Sequence, residues 1–463
     1  MRDTGFAYER SGLSAFGGRH HYRGGGRTGQ WDWPAAPVVA PAPGRGPARR
    51  AGLAMAPGVG IPEWFPPVAP SSRILPMSNA SSSPLKVAII GCGRPRGTDG
   101  ATGFGMAHRH MAGFFATGRC TLAAVADVNR ENAGAFVAAH NPAAAIFADY
   151  RKLLRAVRPD VVSVCLWPHL HAQVVGAAAR WHPRVIFCEK PMDINWDACL
   201  RMHRTCRRNG VLLAINHQRR FNRPLAKARA LLDGGAIGRL LRMEGAWHNL
   251  SDSGTHVLDL MFFFNQDTPA DWVLGQIDLR GATKVFGALN AGHGLTEFRF
   301  KNGVRALYHF GHQHGELGCL LRLTGEGGVI EILNEAPWLR LRRHGQAEWE
   351  PVDTGESIHD DQAIYRAIAD ILACLDAGTM PQLASDHALQ TAEIIFATHE
   401  SARRRARVDL PLPSGPCAML SMVAAGELKV VNPVELPAPA ARADKPPPRP
   451  KPAAQRRPRR RKK

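Results

Sequence analysis

A chain of 463 residues with 45% hydrophobic residues is long enough for two globular domains, although its 35 prolines and 46 glycines are too many for a single compact unit. Much of its net charge of +20 lies at the ends, since residues 1–83 hold 9 arginines against 4 acidic residues and residues 413–463 hold 12 basic against 3 acidic residues. The charge therefore does not indicate a nucleic-acid-binding fold, and we expect only weak, salt-dependent binding of polyanions by the basic C-terminal segment.

The two ends of the chain have the composition of disordered segments. Residues 1–83 are rich in Gly, Pro, Ala and Arg without apolar periodicity, and residues 413–463 are rich in Pro, Arg and Lys. No run of about 18 apolar residues occurs, and no apolar run follows a basic start, so neither a transmembrane helix nor a signal peptide is predicted. The nine cysteines form no Cys-x-x-Cys pair, which predicts reduced, mostly buried thiols in a cytoplasmic protein.

Residues 84–216 alternate short, β-branched apolar runs with helical segments. The first run, Lys86 to Ile90, leads directly into a glycine pair, and a helix is expected over residues 130–140. Such alternation indicates βαβ units in a buried parallel sheet. It predicts an α/β Rossmann domain with strands over residues 86–90, 122–126, 160–166, 185–188 and 211–215.

The pattern changes in residues 217–412, where strands follow one another with short turns. Asn302-Gly303 between two of them is a strong hairpin signal. Two helices, over residues 360–375 and 385–403, complete this part. The pattern predicts an α+β domain with a mostly antiparallel open sheet, whose strands cover residues 239–246, 273–279, 296–300, 306–310, 320–323 and 329–333.

A glycine-rich turn after the first strand predicts a dinucleotide site. Gly91 and Gly93 allow backbone N–H groups to approach a pyrophosphate at a helix N-terminus. Arg96 stands where the third glycine of the standard motif belongs, which indicates an insertion of roughly ten residues with Gly105 opening the helix.

Asp127 closes the second strand and is placed to accept hydrogen bonds from the adenosine ribose. Its carboxylate would repel a 2′-phosphate and so favours NAD over NADP, although Arg130 in the same loop could neutralise such a phosphate. The alternative role for Asp127 is the N-cap of the following helix.

Two further segments carry candidate catalytic residues. Glu189-Lys190-Pro191 follows the strand over residues 185–188, at a strand end where ligands of α/β sheets bind. Asp252 and His256 are four residues apart at the start of an apolar helix, a spacing that would let the acid orient the imidazole as a general base. The alternatives are a surface Glu–Lys pair, an N-cap role for Asp252 and a polar-face role for His256.

Six motifs follow one another along the chain: Gly91-x-Gly93-Arg94, Trp167-Pro168-x-x-His171, Glu189-Lys190-Pro191, Arg220-Phe221, Asp252-x-Gly254-x-His256-x-x-Asp259 and Val408 to Pro411. In this order they resemble the glucose–fructose oxidoreductase, inositol dehydrogenase and rhizopine-catabolism (Gfo/Idh/MocA) family. The resemblance covers roughly residues 84–412 and is far more specific than any one motif.

The resemblance implies an NAD(P)-dependent dehydrogenase that oxidises a secondary alcohol of a sugar, cyclitol or related polyol. By position, Lys190 matches the family's substrate-binding lysine, Asp252 its acid and His256 its proton-accepting histidine. It further implies a homodimer or homotetramer formed by sheet-face packing. The residues expected at the cofactor are Gly91, Gly93, Arg94, Gly105, Asp127, Pro168, His171, Glu189 and Arg220.

The chain departs from the family pattern in two places and leaves other readings open. The phosphate loop carries the insertion. Only residues 247–251 separate the preceding strand from Asp252, whereas many relatives have a longer loop there.

The rival functions are a catalytically silent NAD-binding regulatory or assembly protein and a nucleic-acid-associated protein that uses the basic tail. Histidine pairs at residues 108 and 110 and at 169 and 171 lack a carboxylate at ligand spacing, so no metal is expected. Arg219 and Arg220 are expected to reach cofactor phosphate or substrate, with plain surface charge as the alternative.

Overall fold

The computed structural model of the protein describes residues 83–431, except residues 96, 99, 100, 102, 312 and 313, together with the backbone of residues 434–435. The expectations for residues 1–82 and 436–463 lie outside the described residues. No helix in the described part of the chain has the length and apolar character needed to cross a bilayer.

Six parallel strands form the sheet of the Rossmann domain, in the order β3-β2-β1-β4-β5-β6. The central strands β4 and β5 are buried throughout, as expected for β-branched strands with helices on both faces. The strands are β1 (Leu85–Ile90), β2 (Cys120–Ala126), β3 (Ala145–Phe147), β4 (Val161–Val164), β5 (Val185–Cys188) and β6 (Leu212–Ile215).

Five helices connect these strands, and the helix predicted over residues 130–140 is found at those residues. Its N-cap is Asn129, whose side chain accepts hydrogen bonds from the Glu131 and Asn132 N–H groups, so the alternative role of Asp127 as N-cap is wrong. The helices are α1 (Met106–Ala116), α2 (Arg130–His140), α3 (Tyr150–Val157), α4 (Pro168–Ala179) and α5 (Trp196–Arg208).

Twelve strands follow, in a nine-stranded and a three-stranded sheet. In the larger sheet, ordered β16-β15-β14-β13-β7-β12-β11-β8-β17, β7 and β12 pair in parallel and every other pair is antiparallel. The predicted fold class is therefore confirmed. The strands are β7 (Leu240–Trp247), β8 (Ala270–Asp278), β9 (Thr283–Val285), β10 (Ala288–Asn290), β11 (His293–Phe300), β12 (Arg305–Gly311), β13 (Leu321–Gly325), β14 (Gly328–Ile332), β15 (Leu339–Arg343), β16 (Glu350–Pro351), β17 (Val408–Asp409) and β18 (Val434–Glu435).

The hairpin predicted at Asn302-Gly303 joins β11 to β12, and Gly303 has the positive φ of 90° that this turn requires. Behind the sheet, the helix after β7 is buried along its whole length, with Phe262 packed on Phe298 and Phe300. This packing fixes the helix whose first turn faces the site. The helices of this part are α6 (Arg223–Asp233), α7 (Gly254–Phe264), α8 (Gln362–Ala377), α9 (Ser385–Arg404) and α10 (Ala418–Ala424).

The segment after residue 412 was expected to be disordered, but its described residues include helix α10 and strand β18. Helix α10 buries Met419 and Met422, and the preceding Cys417 is buried beside His399 of α9. The expected boundary is therefore too early, because a seven-residue apolar helix contributes too few residues to change the Pro-rich and Arg-rich composition of the segment.

Helix α8 crosses to the Rossmann domain, where Ile368 packs against Gly113 of α1.

Candidate active site

A cleft of about 570 Å³ opens at the carboxyl ends of β1 and β4. Strand β1 lies between β2 on one side and β4 on the other, so the order of the strands reverses its direction at this point. Ligands of open α/β sheets bind at such a switch point. The second domain closes the cleft with residues 247–249, 252–253, 256 and 358–361. Phe104 of the inserted phosphate-loop segment meets Phe286 edge-to-face at 5.9 Å and forms part of the rim.

The glycine loop has the geometry that the sequence predicted. Gly91 has a φ of 87°, and a Cβ there would lie 2.6 Å from the backbone oxygen of Cys165, so that only glycine lets the loop approach β4. Gly93 has a φ of 58°, and a Cβ added there would have no other atom within 4 Å, so there is open space beside the loop. Gly105 has a φ of 65° and directly precedes α1, so it opens that helix as predicted.

Asp127 anchors this loop from the end of β2. Its Oδ2 accepts hydrogen bonds from Cys92 N at 2.7 Å and Gly93 N at 3.3 Å, while Oδ1 accepts from Asn129 N at 2.8 Å. Arg94 lines the cleft beside it and donates from Nε to Asn132 Oδ1 at 2.9 Å. The position of Asp127 as ribose acceptor remains a prediction, since its carboxylate holds the loop.

Lys190 and Asp252 meet across the cleft. Lys190 Nζ lies 2.7 Å from Asp252 Oδ1 and 3.1 Å from the Asp252 backbone oxygen. Helix α7 begins at Gly254, so Asp252 precedes the helix and the expected four-residue pairing with His256 does not form. The turn is held instead by Asn249, whose Oδ1 accepts from Asp252 N at 2.8 Å. The expectation that Asp252 orients His256 is therefore wrong, and so is its alternative role as N-cap, a position that Ser253 occupies.

His256 lies in the first turn of α7, lines the cleft and is buried. Its Nδ1 has no hydrogen-bond partner among the described residues, and its ring centroid is 5.7 Å from that of His217. Burial, together with the charges of Lys190 and Arg219, lowers the pKa of His256 well below its ordinary value. The imidazole is therefore neutral at pH 7, the form that accepts a proton.

Glu189 lines the cleft and belongs to a buried cluster of polar side chains. Its Oε1 accepts from His110 Nε2 at 2.8 Å and from Asn216 Nδ2 at 2.7 Å. The other ring nitrogen of His110 lies 2.9 Å from Ser163 Oγ and 3.3 Å from Cys165 Sγ. Although burial opposes charge, the histidine and amide partners lower the pKa of Glu189, and the carboxylate and thiol raise the pKa of His110. Sequence reasoning missed His110 and Asn216 because neither belongs to a recognised motif.

Arg220 does not reach the cleft, contrary to expectation. Its guanidinium is buried between Asp259 and Asp267, with Nε 2.8 Å from Asp259 Oδ2 and Nη2 2.8 Å from Asp267 Oδ1. The expectation of a cofactor contact is wrong because the two carboxylates occupy its donors. The adjacent Arg219, in the same 3-10 turn over residues 218–221, does line the cleft.

His171 also lies away from the cleft. Its ring nitrogens are 2.9 Å from the Pro191 oxygen and 3.0 Å from the Leu166 oxygen, so the side chain ties together two strand ends. The expectation that His171 contacts the cofactor is wrong, because its side chain is buried behind α4 and does not line the cleft. Pro168, in the first turn of the same helix, lines the cleft, and its contact with the cofactor remains a prediction. Within the described residues, no three His, Cys, Asp or Glu side chains are grouped as metal ligands.

Comparisons with known proteins agree with this geometry. Residues 85–217 match the GFO_IDH_MocA family model, described as an oxidoreductase family with an NAD-binding Rossmann fold. An inositol 2-dehydrogenase of Burkholderia multivorans is 27% identical over 198 residues, which are 42% of this chain and 55% of that protein. A D-glucoside 3-dehydrogenase of Escherichia coli is 30% identical over 166 residues, or 35% and 43% of the two chains. The chain thus matches about half the length of these relatives.

Solved structures share the fold over a larger part of the chain. The WlbA dehydrogenase from Bordetella pertussis, in complex with NADH and UDP-GlcNAcA, superposes with a TM-score of 0.58 and 19% identity over 72% of this chain and 100% of its own. A levoglucosan dehydrogenase in complex with NADH and L-sorbose superposes with a TM-score of 0.60 and 19% identity over 71% and 99%. Residues 85–217 are thus similar to the NAD-binding Rossmann domain of the Gfo/Idh/MocA oxidoreductase family.

Proposed function

We propose that the protein is an NAD-dependent dehydrogenase that oxidises a secondary alcohol of a sugar, cyclitol or related polyol, with NADP as the less favoured cofactor. The observation that carries this proposal is that Lys190, Asp252 and His256 all line the glycine-loop cleft, with Lys190 and Asp252 in contact. The names of the relatives support the substrate class, and the family of the Rossmann domain supports the cofactor. Residues 84–216 would hold the cofactor, and residues 217–412 would supply most of the substrate site.

The described residues fit a dinucleotide. The space beside Gly93 is open, and the first turn of α1 has neither a side-chain cap nor an acidic residue. Met106 and Ala107 of this turn line the cleft. Free N–H groups at a helix N-terminus attract phosphate. Arg94 and Asp127 would then flank the adenosine end. When bound, NAD supplies the hydride acceptor.

The chain's own residues would handle the hydroxyl proton. A carbinol carbon releases hydride only as its hydroxyl is deprotonated, so a base must reach that oxygen. We assign this role to His256, whose lowered pKa favours the neutral imidazole and whose Nδ1 has no hydrogen-bond partner among the described residues. Lys190 would donate to the same oxygen and stabilise the developing alkoxide with its charge. Asp252 would hold the Lys190 ammonium in place.

Fluorescence titration with NADH and NADPH, followed by a panel of sugars and cyclitols, tests the proposal. We expect tighter binding of NADH than of NADPH and turnover of at least one polyol. Lys190→Ala should lower kcat/KM roughly 10²- to 10³-fold while leaving NADH binding measurable. Binding of NADH without turnover of any polyol would instead support a catalytically silent regulatory or assembly protein of the same fold.

We further propose a cytoplasmic homodimer or homotetramer that forms through the outer face of the nine-stranded sheet. Leu274 of β8 and Leu295 of β11 are 43% and 40% exposed on this face, unusually open for leucines within strands. Light scattering coupled to gel filtration measures the assembly, and Leu274→Lys together with Leu295→Lys should shift it towards monomer.

A further inference from the structure

Arg219 presents a positive charge to the cleft without a counter-ion among the described residues. The 3-10 turn after β6 sends Arg220 into its buried carboxylates and Arg219 in the other direction, towards the cleft. The Arg219 guanidinium makes no hydrogen bond and has no carboxylate within 4 Å in the described part of the chain, and its Nη1 is buried. The guanidinium carbon lies 5.8 Å from the ring centroid of Trp247, which helps to fix its position.

The other cations that line the cleft each have a carboxylate partner, so Arg219 differs from all of them. Asp360 also lines the cleft, but its Oδ1 accepts a hydrogen bond from Gln362 N at the start of α8. A buried guanidinium without a partner is costly, and such groups are normally satisfied by an anion. The three satisfied pairs are Lys190 with Asp252 at 2.7 Å, Arg109 with Asp361 at 2.9 Å and Arg94 with Glu131 at 3.4 Å.

The surroundings of Arg219 place this charge on the substrate side of the cleft. Burial is the main cause that lowers the pKa of His256 and of His359, and the Arg219 charge lowers both further. Both histidines line the cleft with Arg219, so the guanidinium lies within electrostatic reach of the proposed base. The cofactor's phosphates would lie instead along the glycine loop and the first turn of α1. An anion held by Arg219 would therefore be part of the substrate.

We propose that Arg219 binds an anionic group of the substrate, a carboxylate or a phosphate, so that the enzyme acts on sugar acids or sugar phosphates rather than on neutral polyols. This inference rests on the proposed dehydrogenase function. A planar guanidinium can donate two parallel hydrogen bonds to such a group. The bound anion would orient the ring in the cleft and would also offset the Arg219 charge that disfavours protonation of His256.

Calorimetric titration of the NADH complex measures the preference directly. The ligands are matched sets in the gluco and galacto series: the neutral sugar, its uronic acid and its 6-phosphate. We expect a uronic acid or a 6-phosphate to bind at least about 10-fold more tightly than its neutral sugar, because a hydrogen bond to a charged group contributes about 10- to 100-fold in affinity. The tighter of the two anions identifies the natural group.

Three variants assign the preference to Arg219. Arg219→Gln should abolish the preference for the anion while leaving NADH affinity unchanged, and Arg219→Lys should retain part of it. Arg119→Gln, which removes a surface arginine paired with Asp376, should behave as wild type. Equal binding of neutral and anionic sugars by wild type, or an unchanged preference in Arg219→Gln, overturns the inference. Failure to bind NADH would instead overturn the proposed function itself.

Discussion

Lys190 of the Rossmann domain and Asp252 of the second domain form an ion pair across the cleft, with Nζ 2.7 Å from Oδ1. Both side chains are largely shielded from solvent, with exposures of 15% and 17%. The pair therefore joins the two halves of the site and fixes the ammonium where a substrate hydroxyl would bind.

Replacement of Lys190 and replacement of Asp252 should lower kcat/KM to different degrees. Lys190→Ala removes the charge at the developing alkoxide, and we expect kcat/KM to fall roughly 10²- to 10³-fold. Asp252→Asn should lower it only about tenfold, because the Asp252 backbone oxygen still accepts from Nζ. Steady-state kinetics on the substrate found in the panel measure both losses. Equal losses in the two variants would argue that Asp252 has a catalytic role of its own.

His256→Ala should lower turnover roughly 10²- to 10⁴-fold, the usual contribution of a positioned base. NADH affinity should stay the same, because the glycine loop that would hold the cofactor is formed by other residues of the cleft. His309→Ala, at an exposed position on β12 outside the cleft, is the matched control. Turnover close to wild type in His256→Ala would remove this residue as the base and leave Lys190 as the next candidate.

The pH dependence of kcat/KM tests the protonation state of His256 separately. A base acts only when it is neutral, so activity is lost as pH falls through its pKa. Since burial and the nearby charges lower that pKa well below 6.5, activity should persist well below pH 6.5. The acidic limb of the profile, where activity falls, should appear only at lower pH. Arg219→Gln removes one of the charges and should move the limb to higher pH. A wild-type limb near or above pH 6.5 would contradict the assignment.

Asp127→Ala should weaken NADH binding by about 1–2 kcal/mol, through lost hydrogen bonds to the loop and to the ribose. The loop contacts affect both cofactors, whereas repulsion of a 2′-phosphate affects only NADPH. We therefore expect a smaller loss, or a gain, for NADPH. Fluorescence titration with both cofactors checks this, and an equal loss for the two would show that Asp127 acts only through the loop.

Glu189→Gln should lower the free energy of unfolding by about 3–5 kcal/mol, because it leaves the buried His110 without its carboxylate partner. As a control, Glu131→Gln at an exposed position should lower the free energy of unfolding by less than about 0.5 kcal/mol. The folded pKa of Glu189 is lowered, so its contribution is fully present above pH 4.5 and is lost as pH falls below that value. The folded pKa of His110 is raised, so its contribution is fully present below pH 6.5 and is lost as pH rises through the folded value.

The difference in unfolding free energy between wild type and Glu189→Gln should therefore be largest between pH 4.5 and 6.5. Urea denaturation across this range measures the difference. A difference that does not vary with pH would mean that the pair is not ionised.

Truncations separate the tails from the folded part. From composition, removal of residues 1–76 and 436–463 should leave the Tm and turnover nearly unchanged. Removal of residues 413–463 should cost at least about 3 kcal/mol, because it also deletes the buried side chains of Cys417, Met419 and Met422. Calorimetry of the two truncated proteins distinguishes these outcomes, and an unchanged Tm after removal of residues 413–463 would show that α10 contributes nothing to stability.

The local pattern of the sequence was enough to predict most of the fold. The helix at residues 130–140 and the strand at 185–188 lie where periodicity placed them, because a helix or strand with a long apolar pattern is encoded by neighbouring residues. The three-residue strands β3, β9 and β10 were not predicted. So short a segment shows no period and is extended only because a neighbouring strand pairs with it.

The sequence by itself also brought Lys190, Asp252 and His256 into one site, through motifs whose order is characteristic of the family. Only the tertiary structure decided which of them touch. Asp252 pairs with Lys190, 62 positions away along the chain, rather than with His256 four residues on, because α7 begins two residues too late for the acid to share its face. Likewise, Arg219 and Arg220 are equivalent in sequence, and the direction of one 3-10 turn sends one to the cleft and the other to buried carboxylates. Spacing along the chain encodes periodicity, whereas the direction of a side chain depends on packing between distant segments.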